Sequence, residues 1–190
     1  MNTPFRAVTT PEKVRLTVED FLLLDESGAF ADYSRTELLD GEIWYMNAQH
    51  SRHARTKTEL AFELGLVLRA MDTALRPIIE PSTRVSDHSL PEPDIVVTDY
   101  KGPHIVPLET VALVVEVSDT TLDIDLGRKL RIYASAGVPE YWVVDLPAGK
   151  VHQFWSPGGD AYAERRETEL GKRIEAASIE RLAVETVGLI

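Results

Sequence analysis

The sequence contains no cysteine among its 190 residues. This excludes disulfide bonds, zinc sites built on thiolates and cysteine nucleophiles, and it fits a reducing cytoplasm. The sequence also lacks any apolar run that approaches the roughly 20 residues of a transmembrane helix. Residues 1–15 mix polar and apolar side chains without a continuous apolar core, so no signal peptide is indicated. We therefore expect a cytoplasmic protein that has no membrane partner.

Positive charge is scarce, because 20 Lys and Arg residues against 31 Asp and Glu residues give a net charge of −11. This balance weakens the case for tight duplex binding, which depends on Lys and Arg neutralising phosphates. Basic residues cluster at two places, Arg52, Arg55 and Lys57, and then Arg128, Lys129 and Arg131. Taken alone, each cluster is better explained by a solvated helix face than by a binding site.

One carboxylate stands inside an otherwise apolar run. Residues 111–117 have the sequence VALVVEV, in which Glu116 is the charged residue, and Asp94 opens a second apolar run over 93–97. Continuous Val, Ile and Leu runs predict strands that are buried on both faces, where an uncompensated charge is costly. Two carboxylates at the ends of two buried strands indicate a divalent metal ion held between them.

The remaining elements follow from turn, cap and periodicity signals. Thr17 is a candidate N-cap with Asp20 three residues on, Asp40-Gly41 is a hairpin turn, and Gly137 is a candidate αL C-cap. We predict helices over 17–24, 51–71 and 122–136, strands over 37–39, 42–46, 78–80, 93–97, 111–117, 140–145 and 151–155, and weaker strands over 162–167, 173–176 and 182–187. We expect a flexible arm over 1–15 and a single domain over 16–190.

Asp125 and Lys129 lie four residues apart on the predicted helix, with the acid first. This is the favourable orientation for a surface ion pair worth roughly 0.2–0.5 kcal/mol. For these two residues alone, the spacing favours a surface pair over a catalytic one.

Several motifs agree in order and spacing with a known family. They are PD at 93–94, VVEVS at 114–118, DLGRKL at 125–130, YA at 133–134 and GVPEYWVVD at 137–145, with ELLDGEI at 37–43 and His53 upstream. The chain resembles the Uma family of putative restriction endonucleases, which belongs to the PD-(D/E)XK nuclease superfamily. The resemblance covers roughly residues 17–155, and the run over 137–145 is its most specific part.

The resemblance implies a fold and an activity. It implies an α/β, restriction-endonuclease-like fold, with a mixed central sheet flanked by helices and with antiparallel strands added at the N- and C-terminal ends. It implies a metal-dependent endonuclease that hydrolyses DNA phosphodiester bonds with metal-activated water. Because a duplex has two strands to cut, we also expect a homodimer.

The resemblance also assigns residues to roles. Asp94 matches the Asp of the superfamily's Pro-Asp element and Glu116 matches its strand acid; together with the backbone carbonyl of Val117 they would hold Mg²⁺ or Mn²⁺. Ser118 stands where the superfamily usually has its lysine. Lys129 matches the family's own lysine and would orient the attacking water or stabilise charge on the phosphate.

Other polar residues are weaker candidates. Asp125 would orient Lys129 or ligate the metal through water. For His53, a buried satisfied histidine or a helix-start contact is favoured over a catalytic base, and Glu80 ends a strand that the predicted topology places near the site. Glu59 and Glu63 could supply a helix acid, but a solvated face explains them better.

Two rival functions stay open. A binding or regulatory module could retain the fold and the site with little or no cleavage, and the net charge of −11 favours this alternative. A metal-dependent hydrolase of a small phosphodiester is the other.

Overall fold

The computed structural model describes residues 10–46 and 49–189 of the chain. Most of the arm expected over 1–15 therefore lies outside the described residues, and its flexibility stays a prediction. Lys13 and Arg15 contact the hairpin that follows: Lys13 Nζ lies 3.4 Å from Glu42 Oε1, and Arg15 Nε donates to the Asp40 carbonyl at 3.1 Å.

The described residues alternate short strands with two longer helical regions. The strands are β1 (Thr36–Leu39), β2 (Glu42–Tyr45), β3 (Arg76–Ile79), β4 (Thr83–Arg84), β5 (Ile95–Thr98), β6 (Val106–Pro107), β7 (Val111–Ser118), β8 (Glu140–Asp145), β9 (Lys150–Gly158), β10 (Ala161–Glu169), β11 (Arg173–Glu175) and β12 (Ala183–Glu185). The helices are α1 (Val18–Glu26), α2 (Ser51–Ala70), α3 (Leu122–Ile124) and α4 (Leu130–Ala136), with a 3₁₀ turn at Leu108–Thr110 and a π-helical segment at Asp125–Lys129 between α3 and α4.

A six-stranded mixed sheet in the order β10-β9-β8-β7-β5-β3 forms the centre. Strands β7 and β8 are parallel and the other neighbours are antiparallel. The β1–β2 hairpin and the β11–β12 pair are separate antiparallel additions near the two ends of the chain. The predicted mixed sheet with added antiparallel strands is confirmed.

Helices cover both faces of this sheet. Helix α2 packs its buried leucines, Leu60, Leu64 and Leu68, on the face that contains Val115. On the other face, Tyr133 of α4 packs with Val114. Because successive side chains of a strand point to opposite faces, the apolar run of β7 is buried on both sides, as predicted. The same alternation places Glu116 on the face of Val114, under α4.

Local signals set the element ends. Thr17 caps α1 in a capping box with Asp20, and Gly137 ends α4 in the left-handed conformation at φ 81°. In the β1–β2 turn, Asp40 and Gly41 have φ values of 55° and 78°. A Cβ at Gly41 would also lie 2.8 Å from Arg15 Cβ, so conformation and space both require glycine there.

Two elements differ from their predictions. The strand predicted over 78–80 occupies Arg76–Ile79, and Glu80 leaves it with a φ of 51°. The helix predicted over 122–136 has the expected bounds, but its middle is the π-helical segment, which hydropathy periodicity does not signal. Within residues 10–46 and 49–189, no helix is both long enough and apolar enough to span a bilayer.

Candidate active site

A cavity of about 430 Å³ opens where β7 ends and α3 begins. Its wall comes from the end of β7, the loop that follows, the helical region over 124–129, the start of α2 and the β1–β2 hairpin. The sequence-predicted residues that line it are Asp94, Glu116, Val117, Asp125, Lys129 and His53. Glu80 is outside the described lining and contacts two lining residues, Gln49 and Arg35.

Asp94 and Glu116 meet across neighbouring strands. Ile95 pairs with Val115 in the antiparallel ladder, so one step further along each strand places Asp94 opposite Glu116 on the same face. Directly opposite residues have Cβ atoms about 4.5–5.5 Å apart. Both side chains are only 4% exposed, so two carboxylates share one buried corner of the cavity.

The backbone of Val117 points toward the same corner. Its N–H donates to Asp94 Oδ2 at 2.8 Å. In a strand, the N–H and C=O of one residue point to the same side. The Val117 carbonyl is therefore directed toward the Asp94 side of β7, where the ladder with β5 has ended.

Lys129 is buried in this corner, and its side chain is one hydrogen-bond length from two acids. Its Nζ lies 3.0 Å from Glu116 Oε1 and 2.9 Å from Glu37 Oε2, and the residue is 3% exposed. The prediction of a surface pair with Asp125 is wrong. Asp125, Lys129 and Tyr133 are spaced four residues apart and form one buried stripe that faces the sheet. Tyr133 donates to Glu116 Oε1 at 2.9 Å.

Burial and charge act in opposite directions on the two partners. At Glu116, burial outweighs the adjacent ammonium of Lys129 and raises the pKa of the carboxyl to about 8. The carboxylates of Asp125, Asp94 and Glu37 contribute further to this rise. At Lys129, burial lowers the pKa, but Glu116 and Glu37 raise it by more, so the ammonium stays charged. The corner carries more negative charge than Lys129 alone compensates.

Asp125 is held by hydroxyl groups. Thr121 donates to Asp125 Oδ2 at 2.7 Å, and Ser118 donates to the same oxygen. Burial raises the pKa of Asp125 despite these bonds. Ser118, at the position of the superfamily's usual lysine, thus anchors Asp125, while the hydrogen bonds of Lys129 go to Glu37 and Glu116.

A second set of groups surrounds Asp94. His53 Nε2 lies 3.1 Å from Asp94 Oδ2, Gln49 Nε2 donates to Oδ1 at 3.2 Å, and Lys57 Nζ lies 3.6 Å from Oδ1. Burial opposes ionisation of Asp94, but the His53 and Val117 hydrogen bonds and the Lys57 charge lower its pKa overall. Of the two ring nitrogens of His53, Nδ1 is buried and has no hydrogen-bond partner within the described residues.

Glu80 connects this set to the hairpin. Its backbone N–H donates to the Asp94 carbonyl at 3.1 Å, and its Oε1 lies 2.5 Å from Lys57 Nζ and 3.3 Å from Arg35 Nη1. Despite partial burial, the Lys57 contact lowers the pKa of Glu80. Glu59, by contrast, is exposed on α2 and lies outside the described lining of the cavity.

Five residues that the sequence did not assign to the site are ion-pair or hydrogen-bond partners of site residues: Arg35, Glu37, Gln49, Lys57 and Tyr133. Lys57 was expected on a solvated face but is 5% exposed. Its position four residues after His53 and three before Leu60 places it on the buried stripe of α2, a signal available in the sequence. Glu37 adjoins the apolar pair Leu38-Leu39, just as Glu116 adjoins the apolar residues of β7, so an acid next to a buried strand segment was a signal for both.

Negative charge exceeds positive charge on the cavity wall. The described lining contains five carboxylates, Glu37, Asp94, Glu116, Asp119 and Asp125, against two Lys or Arg side chains, Arg35 and Lys129. Within the described part of the chain, no three or more His, Cys, Asp or Glu side chains are grouped to hold a metal ion.

Comparisons with known proteins identify related sequences and folds. The Uma2 family, described as "Putative restriction endonuclease", matches residues 18–185. A crystal structure of a putative nuclease belonging to DUF820, from Anabaena variabilis ATCC 29413, is similar to this chain with a TM-score of 0.66 at 16% identity, over 92% of this chain and 97% of that one. At this identity the similarity supports the fold alone. No curated protein matches the chain.

Proposed function

The chain belongs to the Uma2 family of putative restriction endonucleases, and from that membership we propose that it is a divalent-metal-dependent endonuclease that hydrolyses DNA phosphodiester bonds. The observation that carries the proposal is the meeting of Asp94, Glu116 and Lys129 at one cavity. Two acids and a lysine are the side chains that such hydrolysis requires. We propose Mg²⁺ or Mn²⁺ as the cation.

The residues of the cavity fit a divalent cation. Asp94 and Glu116 supply hard oxygen donors, and Mg²⁺ is commonly held by one or two carboxylates while keeping several waters. Carboxylates outnumber Lys and Arg side chains on the described wall, so a divalent cation would add positive charge where acids predominate. Burial raises the pKa of Glu116 to about 8, and a bound cation would favour its ionised form. When bound, the cation would supply Lewis acidity and a water of lowered pKa. We propose Asp94, Glu116 and the Val117 carbonyl as its protein ligands.

The neighbouring residues orient these ligands. The Val117 N–H and His53 both bond Asp94 Oδ2, and Gln49 donates to Oδ1 at 3.2 Å, so both carboxylate oxygens are held in place. Lys129 keeps its charge inside the site because two carboxylates hold it. A buried ammonium near a bound phosphate stabilises developing negative charge more strongly than one in water. We propose this as the role of Lys129, with Asp125, His53 and Glu80 as positioning residues.

One set of observations favours a different function, a nuclease-fold binding or regulatory module with little cleavage. The chain has a net charge of −11, and both Lys or Arg side chains of the described cavity wall are already in ion pairs. Phosphate binding then has to compete with internal partners. A catalytic assay separates the two functions.

The experiment is nicking of supercoiled plasmid by purified protein in Mg²⁺, in Mn²⁺, in Ca²⁺ and in EDTA. We expect cleavage in Mg²⁺ or Mn²⁺, its loss in EDTA and its loss in Asp94→Asn. The matched control is Asp99→Asn, an exposed aspartate outside the described lining of the cavity. Cleavage that persists in EDTA, or that falls equally in both variants, contradicts the proposal. Competition by a small phosphodiester such as thymidine p-nitrophenyl phosphate tests whether DNA is the preferred substrate.

A further inference from the structure

Two half-exposed tyrosines lie in contact beside the cavity: Tyr45 lines it, and Tyr33 packs against Tyr45 outside the described lining. We propose that Tyr33 and Tyr45 form a stacking platform for an unpaired nucleobase, so that the site takes single-stranded or locally unpaired DNA. This inference rests on the proposed function for the identity of the ligand as DNA. It adds the structural class of DNA that the site accepts.

The geometry of the platform is set by the backbone. Tyr45 lines the cavity, and its ring centroid lies 5.2 Å from that of Tyr33 at an interplanar angle of 59°. Tyr45 pairs with Thr36 at the end of the β1–β2 ladder, and the Met46 N–H donates to the Arg35 carbonyl at 2.9 Å. The two segments that carry the rings are thus hydrogen-bonded to each other, and little ordering is needed when a ligand binds.

The exposure of the rings leaves surface for a ligand. Tyr33 and Tyr45 are each 51% exposed, although they touch each other. Base–aromatic stacking is tolerant of sequence because every base has a π-face, and it requires that the base be unstacked from its neighbours. A paired base inside a duplex offers no free face to such a platform.

The electrostatics of the cavity favour stacking over phosphate neutralisation as the source of affinity. Arg35 and Lys129, the Lys and Arg side chains of the described wall, are paired with carboxylates, and the net charge is −11. Duplex binders gain most of their affinity from free cations at the backbone. Arg52 and Arg55, on the first turns of α2, are exposed, but Arg52 already donates to the Leu146 carbonyl at 2.9 Å.

A protein partner is a less suitable occupant of the same surface. A stable protein interface buries about 800 Å² on each side, whereas an aromatic side chain buries about 150–250 Å² when fully covered. Two half-exposed tyrosines with the neighbouring Ile43, itself 38% exposed, supply only a fraction of that area. One or two bases match the size of the platform.

The test is fluorescence anisotropy with a labelled 12-nucleotide oligodeoxythymidylate and a labelled 12-base-pair duplex, in Ca²⁺ and in EDTA. We expect the wild type to bind the single strand about tenfold or more tightly than the duplex. Tyr45→Ala should raise the Kd for the single strand about 5- to 150-fold, the range for loss of one stacked base. Tyr45→Phe, which keeps the ring, should bind nearly as the wild type does.

Phe62→Ala is the matched control, because Phe62 is a 59% exposed aromatic residue on α2, outside the described lining of the cavity. Circular dichroism melts confirm that each variant is folded. Equal binding of both DNAs, equal behaviour of Tyr45→Ala and Phe62→Ala, or no oligonucleotide binding by the wild type overturns the inference. Equal binding of both DNAs, or equal behaviour of Tyr45→Ala and Phe62→Ala, would refute the platform alone, and the nicking assay would still decide the endonuclease proposal. Single-strand preference without metal-dependent cleavage supports the platform and counts against the endonuclease.

Discussion

Glu37 Oε2 lies 2.9 Å from Lys129 Nζ, although the two residues are 92 positions apart in the chain and both are almost completely buried. The same ammonium lies 3.0 Å from Glu116 Oε1. One cation is therefore held between a carboxylate of the first hairpin and a carboxylate of the central sheet. This ion triad joins the β1–β2 addition to the site.

Removal of Glu37 is expected to destabilise the fold. In Glu37→Ala the buried Lys129 loses the nearer of its two carboxyl partners and keeps only Glu116, and breaking a buried pair typically costs about 3–5 kcal/mol. Urea unfolding measures the loss. Glu42→Ala is the control, because Glu42 binds Lys13 and Arg128 at the surface of the same hairpin and should contribute little. Equal losses in the two variants would contradict the structural role assigned to the triad.

The fold was largely predictable because its signals are local and repeated. The Asp40-Gly41 turn, the Thr17 cap and the apolar runs each determine an element regardless of the rest of the chain, and the structure confirms them. The strand predicted over 78–80 ends one residue earlier, at Ile79, because Glu80 adopts a positive φ that its sequence context does not signal.

Charged residues of the site were harder to predict, because burial depends on which face of a helix meets the sheet. The spacing of four residues between Asp125 and Lys129 fits a surface ion pair as well as a buried helix stripe. Tyr133, four residues further on, is apolar enough to indicate the buried stripe, and all three side chains are buried. The partnership of Lys129 with Glu37 depends on a contact between distant segments. Nothing in either segment alone encodes it.

Divalent metal is expected to stabilise the wild type against heat. A ligand that binds only the folded state adds RT ln(1 + [L]/Kd), which is about 2.7 kcal/mol at one hundred times Kd. Thermal melts with and without Mg²⁺ or Mn²⁺ measure the shift. Asp94→Ala should abolish it and exposed Asp99→Ala should keep it. Equal shifts in wild type and Asp94→Ala would exclude Asp94 as a ligand.

A homodimer is expected if the protein cuts both strands of a duplex. Among the described residues, strand β10 is an edge of the central sheet and pairs on one side only, with β9. Its four consecutive charged residues, 164–167, are of the kind that hinder edge-to-edge pairing, so contact through side chains is the more suitable route. Light scattering should give twice the 21.2 kDa chain mass. A clean species at the single-chain mass across a dilution series counts against the dimer.

Stability of the metal-free protein should depend on the protonation of Glu116. Burial raises its folded pKa to about 8 from 4.5, so the folded state holds a proton that the unfolded chain has released. The stabilising contribution is complete below pH 4.5 and is lost as pH rises through about 8. Relative to Glu116→Gln, the wild type should lose at most about 1.4 kcal/mol per pH unit across this window. Parallel profiles of the two proteins in urea unfolding would contradict the raised pKa.

Two buried lysines contact acids of the site: Lys129 lines the cavity, and Lys57 lies next to it. Lys57 contacts Glu80 and Asp94, whereas Lys129 contacts Glu37 and Glu116. Arg128, beside Lys129 in the chain, bonds Glu42 and stacks over Trp44 instead. Methionine at each position removes the charge and keeps much of the side-chain length.

Lys129→Met is expected to lower the single-turnover nicking rate about 10²- to 10³-fold in saturating Mn²⁺, the usual cost of removing one electrostatic stabiliser of a transition state. Arg128→Met should cleave nearly as the wild type does, because the Arg128 guanidinium is paired with Glu42. This variant controls for a general weakening of DNA binding when a positive charge is removed from an acidic protein. Rates are normalised to the folded fraction, since loss of the Lys129 ammonium leaves Glu37 and Glu116 without their shared cation. Comparable rates in all three proteins would refute a catalytic role for Lys129. A loss confined to Lys57→Met would transfer that role to the lysine of α2.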